Sequence, residues 1–217
     1  MNESRLPDPF RLYRIVHYKN LDTLIRRGGL HAPSQVPDDG FPYIPIQKEE
    51  LGNKRSHRQI PIGPGGTIHD YVQFYLGPRS PMLYCLHHGG VEGYAGTQRE
   101  IVYLVVYLED VVNSGRAFVF TDGHAIQGIS KFCNNLSKLD ILDWEAISAP
   151  QWFKTNDFDD RKRKKQAEFM IHGFYPWSLI RGIAVCSEEM KEVVETMLDK
   201  YPEGDRKKVA VVKAWYY

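Results

Sequence analysis

Glu168 sits at an abrupt change of character in the chain. Arg161, Lys162, Arg163, Lys164 and Lys165 are five consecutive cations, Gln166 and Ala167 follow, and Glu168 then opens the apolar segment Phe169-Met170-Ile171. Adjacent like charges repel one another and stay solvated, whereas an aromatic-aliphatic segment is buried. Glu168 is therefore expected where the chain passes from solvent into the core. Nearby cations favour its ionised form and burial opposes it. A carboxylate at such a border can serve as a catalytic or ligand-holding group. The same pattern also fits a basic loop leading into a strand whose Glu makes a structural ion pair. Other chemistry-bearing groups lie at element ends. His17 closes a β-rich run, and His124 follows the Asp122-Gly123 turn. Tyr71, Phe74 and Tyr75 supply three aromatic rings that are either core or the wall of a flat pocket. Arg55 and Arg58 are spaced so that one helical turn would place both on one face.

The elements that must position these groups follow from periodicity. Leu12 to His17 reads as a first strand. Asn20 to Arg27, with Leu21, Leu24 and Ile25 apolar, reads as a helix capped by Asn20 or Asp22 and stopped at Gly28-Gly29. Residues 31–66 hold six prolines (Pro33, Pro37, Pro42, Pro45, Pro61 and Pro64), so little regular structure is expected there. A long irregular loop in a compact domain is usually a lid, a binding loop or disorder. Its cations are Lys48, Lys54, Arg55 and Arg58. Asp70 to Tyr75 is aromatic-rich, Gly77 to Pro81 is a turn carrying Arg79, and Met82 to Leu86 is a short apolar piece. Glu100 to Leu108 is apolar on both faces, which predicts a central strand. A short helix over 109–114, a strand over 116–121, and loop and helix over 135–147 follow. Residues 152–160 are acidic and irregular. Strands over 180–187 and 209–215 flank an amphipathic helix over 188–200. The fold class is α+β: one domain, 1–217, with a central mixed or antiparallel sheet, few helices and long loops on one side.

Composition sets the outer limits. A net charge of +1 means that attraction to nucleic acid must come from local patches. The longest apolar run, Ile101 to Leu108, is far too short to span a membrane, and Met1 to Arg14 has no secretory h-region. Three widely spaced cysteines form no C-x-x-C pair, which argues against a zinc site or disulfide framework and for a reducing cytoplasm. Eight histidines show no H-E-x-x-H spacing, so no metal centre is expected. The 12% of aromatic residues is a supply of stacking surface for flat ligands such as bases or nicotinamide.

Six short pieces, in this order, carry a resemblance. They are Tyr13-Arg14-Ile15-Val16-His17, Gly28-Gly29-Leu30, His69-Asp70-Tyr71-Val72 with Phe74-Tyr75, Ser80-Pro81-Met82-Leu83, Phe120-Thr121-Asp122-Gly123-His124, and Lys165-Gln166-Ala167-Glu168-Phe169. Together they resemble the DarT family of bacterial DNA ADP-ribosyltransferase toxins over nearly the whole chain, with Gln73 where a proline is expected. The resemblance implies a PARP-like ADP-ribosyltransferase fold and NAD as ADP-ribose donor. It implies transfer to a base of single-stranded DNA, typically thymine at a ring nitrogen, reversed by the macrodomain antitoxin DarG. Glu168 and Arg55 become the catalytic pair. His17, Asn20, Gly29 and Leu30 become NAD contacts, with Arg55, Tyr71, Phe74, Tyr75 and His124. Arg58, Arg79, Lys162, Arg163, Lys165 and Gln166 become DNA contacts. Gln166 and Glu168 would share a face if both were extended. Residues 31–66 become the NAD- and substrate-binding loop, residues 153–167 a substrate-recognition loop, and the chain a cytoplasmic monomer. An ADP-ribosyltransferase acting on RNA or protein, and a non-catalytic nucleic-acid-binding module, remain alternatives at the level of sequence.

Overall fold

The computed structural model describes residues 6–47, 49–153 and 160–217. Its frame is an eight-stranded mixed sheet. In chain order the strands are β1 (Arg11–His17), β2 (Gly29–His31), β3 (Tyr71–Tyr75), β4 (Ile101–Tyr107), β5 (Phe118–Thr121), β6 (Phe132–Cys133), β7 (Glu168–His172), β8 (Phe174–Pro176), β9 (Gly182–Val185) and β10 (Val209–Val211). The helices are α1 (Asn20–Arg26), α2 (Glu49–His57), α3 (Pro81–His87), α4 (Leu108–Asn113), α5 (Trp144–Ser148), α6 (Arg161–Lys165) and α7 (Glu188–Leu198). The sheet runs β10-β9-β4-β1-β3-β7-β5-β6, and β2 pairs with β8 in a separate ribbon. Neighbours in the large sheet are antiparallel except β9 and β10, which are parallel.

The periodic segments form as their patterns require. β4 is buried from Ile101 through Val106 and lies inside the sheet, flanked by β1 and β9, because both of its faces are apolar. β1 is half-buried at Arg11 and Arg14 and buried elsewhere. β7 lies between β3 and β5 in register Tyr75↔Glu168 and Phe120↔Phe169. That register places the first residue of β7 beside the last of β3. α3 begins cleanly because Ser80 accepts a hydrogen bond from the Leu83 amide and Pro81 occupies the first turn. α7 starts the same way, on Ser187 and the Met190 amide.

Two segments differ from the sequence expectation, and one left without an assigned element takes a definite form. The Pro-rich stretch 31–66 contains α2, formed between Pro45 and Pro61 where prolines are absent. Its acidic first turn (Glu49, Glu50) and basic last turn (Lys54, Arg55, His57) both suit the helix dipole. Met82 to Leu86 is helical. The cationic run is also helical, as α6, and is not a solvated loop. Lys48 and residues 154–159, the middle of the acidic segment, lie outside the described residues.

Candidate active site

A cavity of about 490 Å³ opens where β1, β2, β3 and the start of β7 meet α2 and α3. α1 ties down its outer loop. The Asn20 side chain donates to the Ile44 carbonyl and accepts from the Ile44 amide, each at 2.8 Å. Thr23 donates to the Pro42 carbonyl, and Arg27 grips Asp39 through two nitrogens. Those bonds hold Phe41, Tyr43, Pro45, Ile46 and Gln47 over the cavity. Gly29, Leu30, Phe74, Tyr75 and Met82 line it from the sheet side and α3. Gly29 has φ +154, and a Cβ there would collide with the Tyr175 carbonyl. The glycine is therefore needed to pack β2 onto β8, in addition to facing the cavity.

Two ionised groups face this space from the core. Glu168 is 2% exposed and Arg55 7% exposed. They form a bidentate pair, with Arg55 Nη1 donating to Oε2 at 2.8 Å and Nη2 to Oε1 at 3.0 Å. The Ala125 amide also donates to Oε1 at 3.2 Å, and the Glu168 amide donates to Thr121 Oγ1. Burial pushes the Glu168 carboxyl up, but Arg55, His124 and the Ala125 amide together bring it below the usual carboxylate range. Burial likewise opposes charge on Arg55, and Glu168 outweighs it. Burial lowers the His124 imidazole despite Glu168. His124 lies 3.5 Å from Arg55 Nη2. The result is a fixed carboxylate and a planar guanidinium on the wall of a largely apolar cavity.

A family model described as DarT, an ssDNA thymidine ADP-ribosyltransferase, matches residues 13–217. The chain belongs to the DarT family. The DNA ADP-ribosyl transferase of Thermus sp. strain 2.9 is 41% identical to it over 213 residues, covering 97% of this chain and 98% of the relative. The solved structure of Thermus sp. 2.9 DarT in complex with ADP-ribosylated ssDNA superposes with a TM-score of 0.91 at 39% identity, covering 98% of each chain. The same Thermus protein in complex with NAD+ superposes at 0.86, with 38% identity over 98% of this chain and all of that one. The α+β ADP-ribosyltransferase fold expected from sequence is therefore the fold of this DarT-family chain.

Within that DarT-family frame several expected site residues stand elsewhere. Tyr71 does not wall the cavity. It is fully buried with Ile60, Ile68 and Met170, and its hydroxyl donates to the Gly65 carbonyl. His17 is also away from the cavity lining. It stacks on Tyr18, accepts from the Lys19 amide, and is kept neutral by burial although Glu100 lies nearby. Asn20 acts on the cavity through the loop it holds. His124 stands behind the Arg55–Glu168 pair. Arg58 lies past the end of α2, so it shares no helical face with Arg55; its guanidinium rests over Phe132 and reaches the Ala125 carbonyl. Gln166 caps the C-terminus of α6 in a turn conformation and donates to the Lys162 carbonyl, so the extended-chain geometry that would align it with Glu168 does not apply. Arg14, Arg27, Gln47 and Gln73 line the cavity and were missed. Arg14 Nε is buried without a hydrogen-bond partner among the described residues. Its signal was a cation in the interior of an apolar strand.

The cationic run has mostly internal work. Arg163 binds Asp160, Asp122 and Ser130, and its carbonyl accepts from the His124 amide. Lys164 binds Asp143. Lys165 is 3% exposed and donates to the carbonyls of Ile147 and Ala149 at 2.6 and 2.9 Å. α6 is a bolt that holds the 122–130 loop, and with it the Ala125 amide, against Glu168. The expected DNA contacts of Arg163 and Lys165 would have to compete with these internal partners, which take most of their donors. Lys165→Met should lower stability by about 1–3 kcal/mol, the cost of stranding buried carbonyls, with an unchanged salt slope for DNA binding. Burial holds the Lys165 amine down at about 8, against 10.5 for the free group. The unfolded chain therefore binds the extra proton between those values, and this lysine's contribution to stability grows as pH rises across them. Thermal melts at pH 7.5 and pH 10 should show the deficit of Lys165→Met widening.

Proposed function

We propose that this chain transfers ADP-ribose from NAD+ to thymine in single-stranded DNA, with Glu168 and Arg55 as its catalytic residues. The observation that carries the assignment is the buried, bidentate Arg55–Glu168 pair facing the cavity. The nicotinamide–ribose C–N bond breaks and its electron pair leaves with nicotinamide, so positive charge develops on the ribose. A carboxylate fixed beside that charge stabilises the transition state more than the ground state. The thymine ring nitrogen gives its proton to solvent and forms the new bond to the ribose carbon. A cation next to the base favours the deprotonated, enolate-like form, and Arg55 is that cation. Phe74, Tyr75, Gly29 and Leu30 offer the apolar surface for NAD+, and Arg14 offers a cation on the cavity wall for its pyrophosphate.

The family's toxin role extends to this chain, with a macrodomain antitoxin of the DarG kind as the partner that removes the modification. Among the described residues no helix is long and apolar enough to cross a membrane, and no group of His, Cys, Asp or Glu is arranged to hold a metal ion. The test is incubation with NAD+ and matched DNA and RNA oligonucleotides, with and without thymidine, followed by mass spectrometry. An ADP-ribose adduct on thymidine-containing DNA is expected. Adducts on RNA or protein alone would replace the assignment.

A further inference from the structure

An aromatic cluster on the surface beside the site is not used by the chemistry above. Phe153 is 50% exposed. It stacks on Trp152 at 4.7 Å between ring centroids and meets the edge of Tyr84 at 5.2 Å. Tyr84 in turn packs on Tyr217 at 5.2 Å and on the exposed His88 at 4.3 Å. The Trp152 indole donates to the Tyr217 hydroxyl at 2.7 Å, which locks the layer together. Phe153 is braced by two rings, Trp152 and Tyr84, and so has little conformational freedom left to lose on binding.

Each end of the layer carries a cation over a ring. The Lys162 ammonium lies 5.6 Å above Trp152, and the Arg79 guanidinium 4.6 Å above Tyr217. Arg79 is the one non-glycine residue with positive φ among those described, at 54°. Its backbone is pinned from both sides, the amide by the Tyr103 hydroxyl and the carbonyl by the Tyr217 hydroxyl. Left-handed backbone at an arginine costs free energy, and here the buried Tyr103 and the half-buried Tyr217 enforce it. The elements that carry the layer also reach the cavity. α3 contributes Met82 to the cavity wall and Tyr84 to the layer, and α6, carrying Lys162, is joined to Glu168 through Gln166 and Ala167 alone.

We infer that this layer is the seat of the substrate strand beyond the modified thymidine: a flanking base stacks on Phe153, and Lys162 and Arg79 neutralise the adjoining phosphates. Flat rings between cations fit unpaired bases joined by phosphates, because every base presents a π-face and the cations follow the backbone. An acidic peptide would use the cations and leave the rings without a partner. The inference rests on the proposed DNA transfer, and it gives that reaction a reason to favour longer strands over a free nucleoside.

The experiment compares wild type, Phe153→Ala, Phe153→Trp and Lys162→Ala. It measures initial rates with NAD+ on a thymidine mononucleotide and on a single-stranded DNA of about 15 nucleotides, a length within the span of one stacking groove. Phe153→Ala should raise KM for the long strand by about 5- to 150-fold, the loss of one base–aromatic stack. KM for the mononucleotide, kcat and NAD+ affinity should stay at wild-type values, and Phe153→Trp should restore the long-strand KM. Lys162→Ala should flatten the slope of log affinity against log salt by about 0.7. An unchanged long-strand KM in Phe153→Ala overturns the inference. So does equal loss in Phe153→Trp, or a loss seen with an RNA strand and not with DNA. Absence of DNA transfer by the wild-type protein is a different result: it removes the proposed function itself.

Discussion

Glu168→Gln is expected to reduce ADP-ribosyl transfer by roughly 10²–10³-fold, the usual loss when a preorganised electrostatic contact to the transition state is removed. Glutamine keeps the shape of the side chain and an acceptor for Arg55, but it carries no charge to set against the developing cation on the ribose. Glu168→Ala is a poorer probe. It strands Arg55, 7% exposed, with neither a counter-charge nor the side-chain acceptor that glutamine would keep, and breaking a buried pair in that way costs about 3–5 kcal/mol. A dead alanine protein could then be an unfolded one. The glutamine protein should retain NAD+ affinity within a few-fold and melt as one transition. Single-turnover rates on a thymidine oligonucleotide, with NAD+ binding measured in parallel, check this. A folded glutamine protein that keeps more than about a tenth of the wild-type rate would take Glu168 out of the chemistry, since such a contact is worth far more. The same substitution should relieve toxicity in cells.

The pair itself was half legible in the sequence. Glu168 stood out because a cationic run met an apolar strand at that residue, and Arg55 because a cation lay in a Pro-rich loop. Their mutual contact joins residues 113 positions apart, and no local pattern encodes it. The strong periodicities also read correctly: β1, β4, α1 and α7 stand where alternation or helical spacing put them. Errors arose where the decisive partner was remote. Five adjacent cations look solvated until Asp122, Asp143 and two backbone carbonyls close around three of them. Tyr71 and Tyr75 share the spacing of a pocket wall, yet only Tyr75 meets the cavity, because the loop around Gly65 covers Tyr71. Arg14 was passed over because a strand cation looks like an edge residue until the sheet order places β1 between β4 and β3. α2 was missed because flanking prolines dominated the reading of residues 31–66, although the stretch between Pro45 and Pro61 carries a helix dipole pattern of its own.

Arg55→Ala should damage base transfer far more than NAD+ binding and should also change how the protein responds to pH. In the wild type, Glu168 is held below the usual carboxylate range despite complete burial, chiefly by Arg55. Its stabilising contribution is therefore fully present above the unfolded carboxyl value and is lost as pH falls through the folded one. Removing Arg55 leaves burial as the largest influence, which raises the carboxyl. The folded variant then holds a proton that the unfolded chain releases, so its stability declines as pH rises from 4 to 7. The gap to wild type should widen across that window toward about 3–5 kcal/mol, the cost of an unpaired buried charge. Catalysis should move in step. The acid limb of the transfer rate should lie at higher pH in the variant, because the carboxylate form is reached later. Arg55→Lys should recover part of the stability and little of the rate, because an ammonium cannot span both oxygens of Glu168 as the guanidinium fork does. Chemical denaturation at pH 4.5 and 7, with rate profiles on a thymidine oligonucleotide over the same range, tests both halves. An NAD+ affinity that falls as far as transfer does would make Arg55 a ligand for the donor's phosphates instead. A pH profile identical to wild type would mean that Arg55 does not set the ionisation of Glu168, and Arg58→Ala would then be the variant to examine for the catalytic cation.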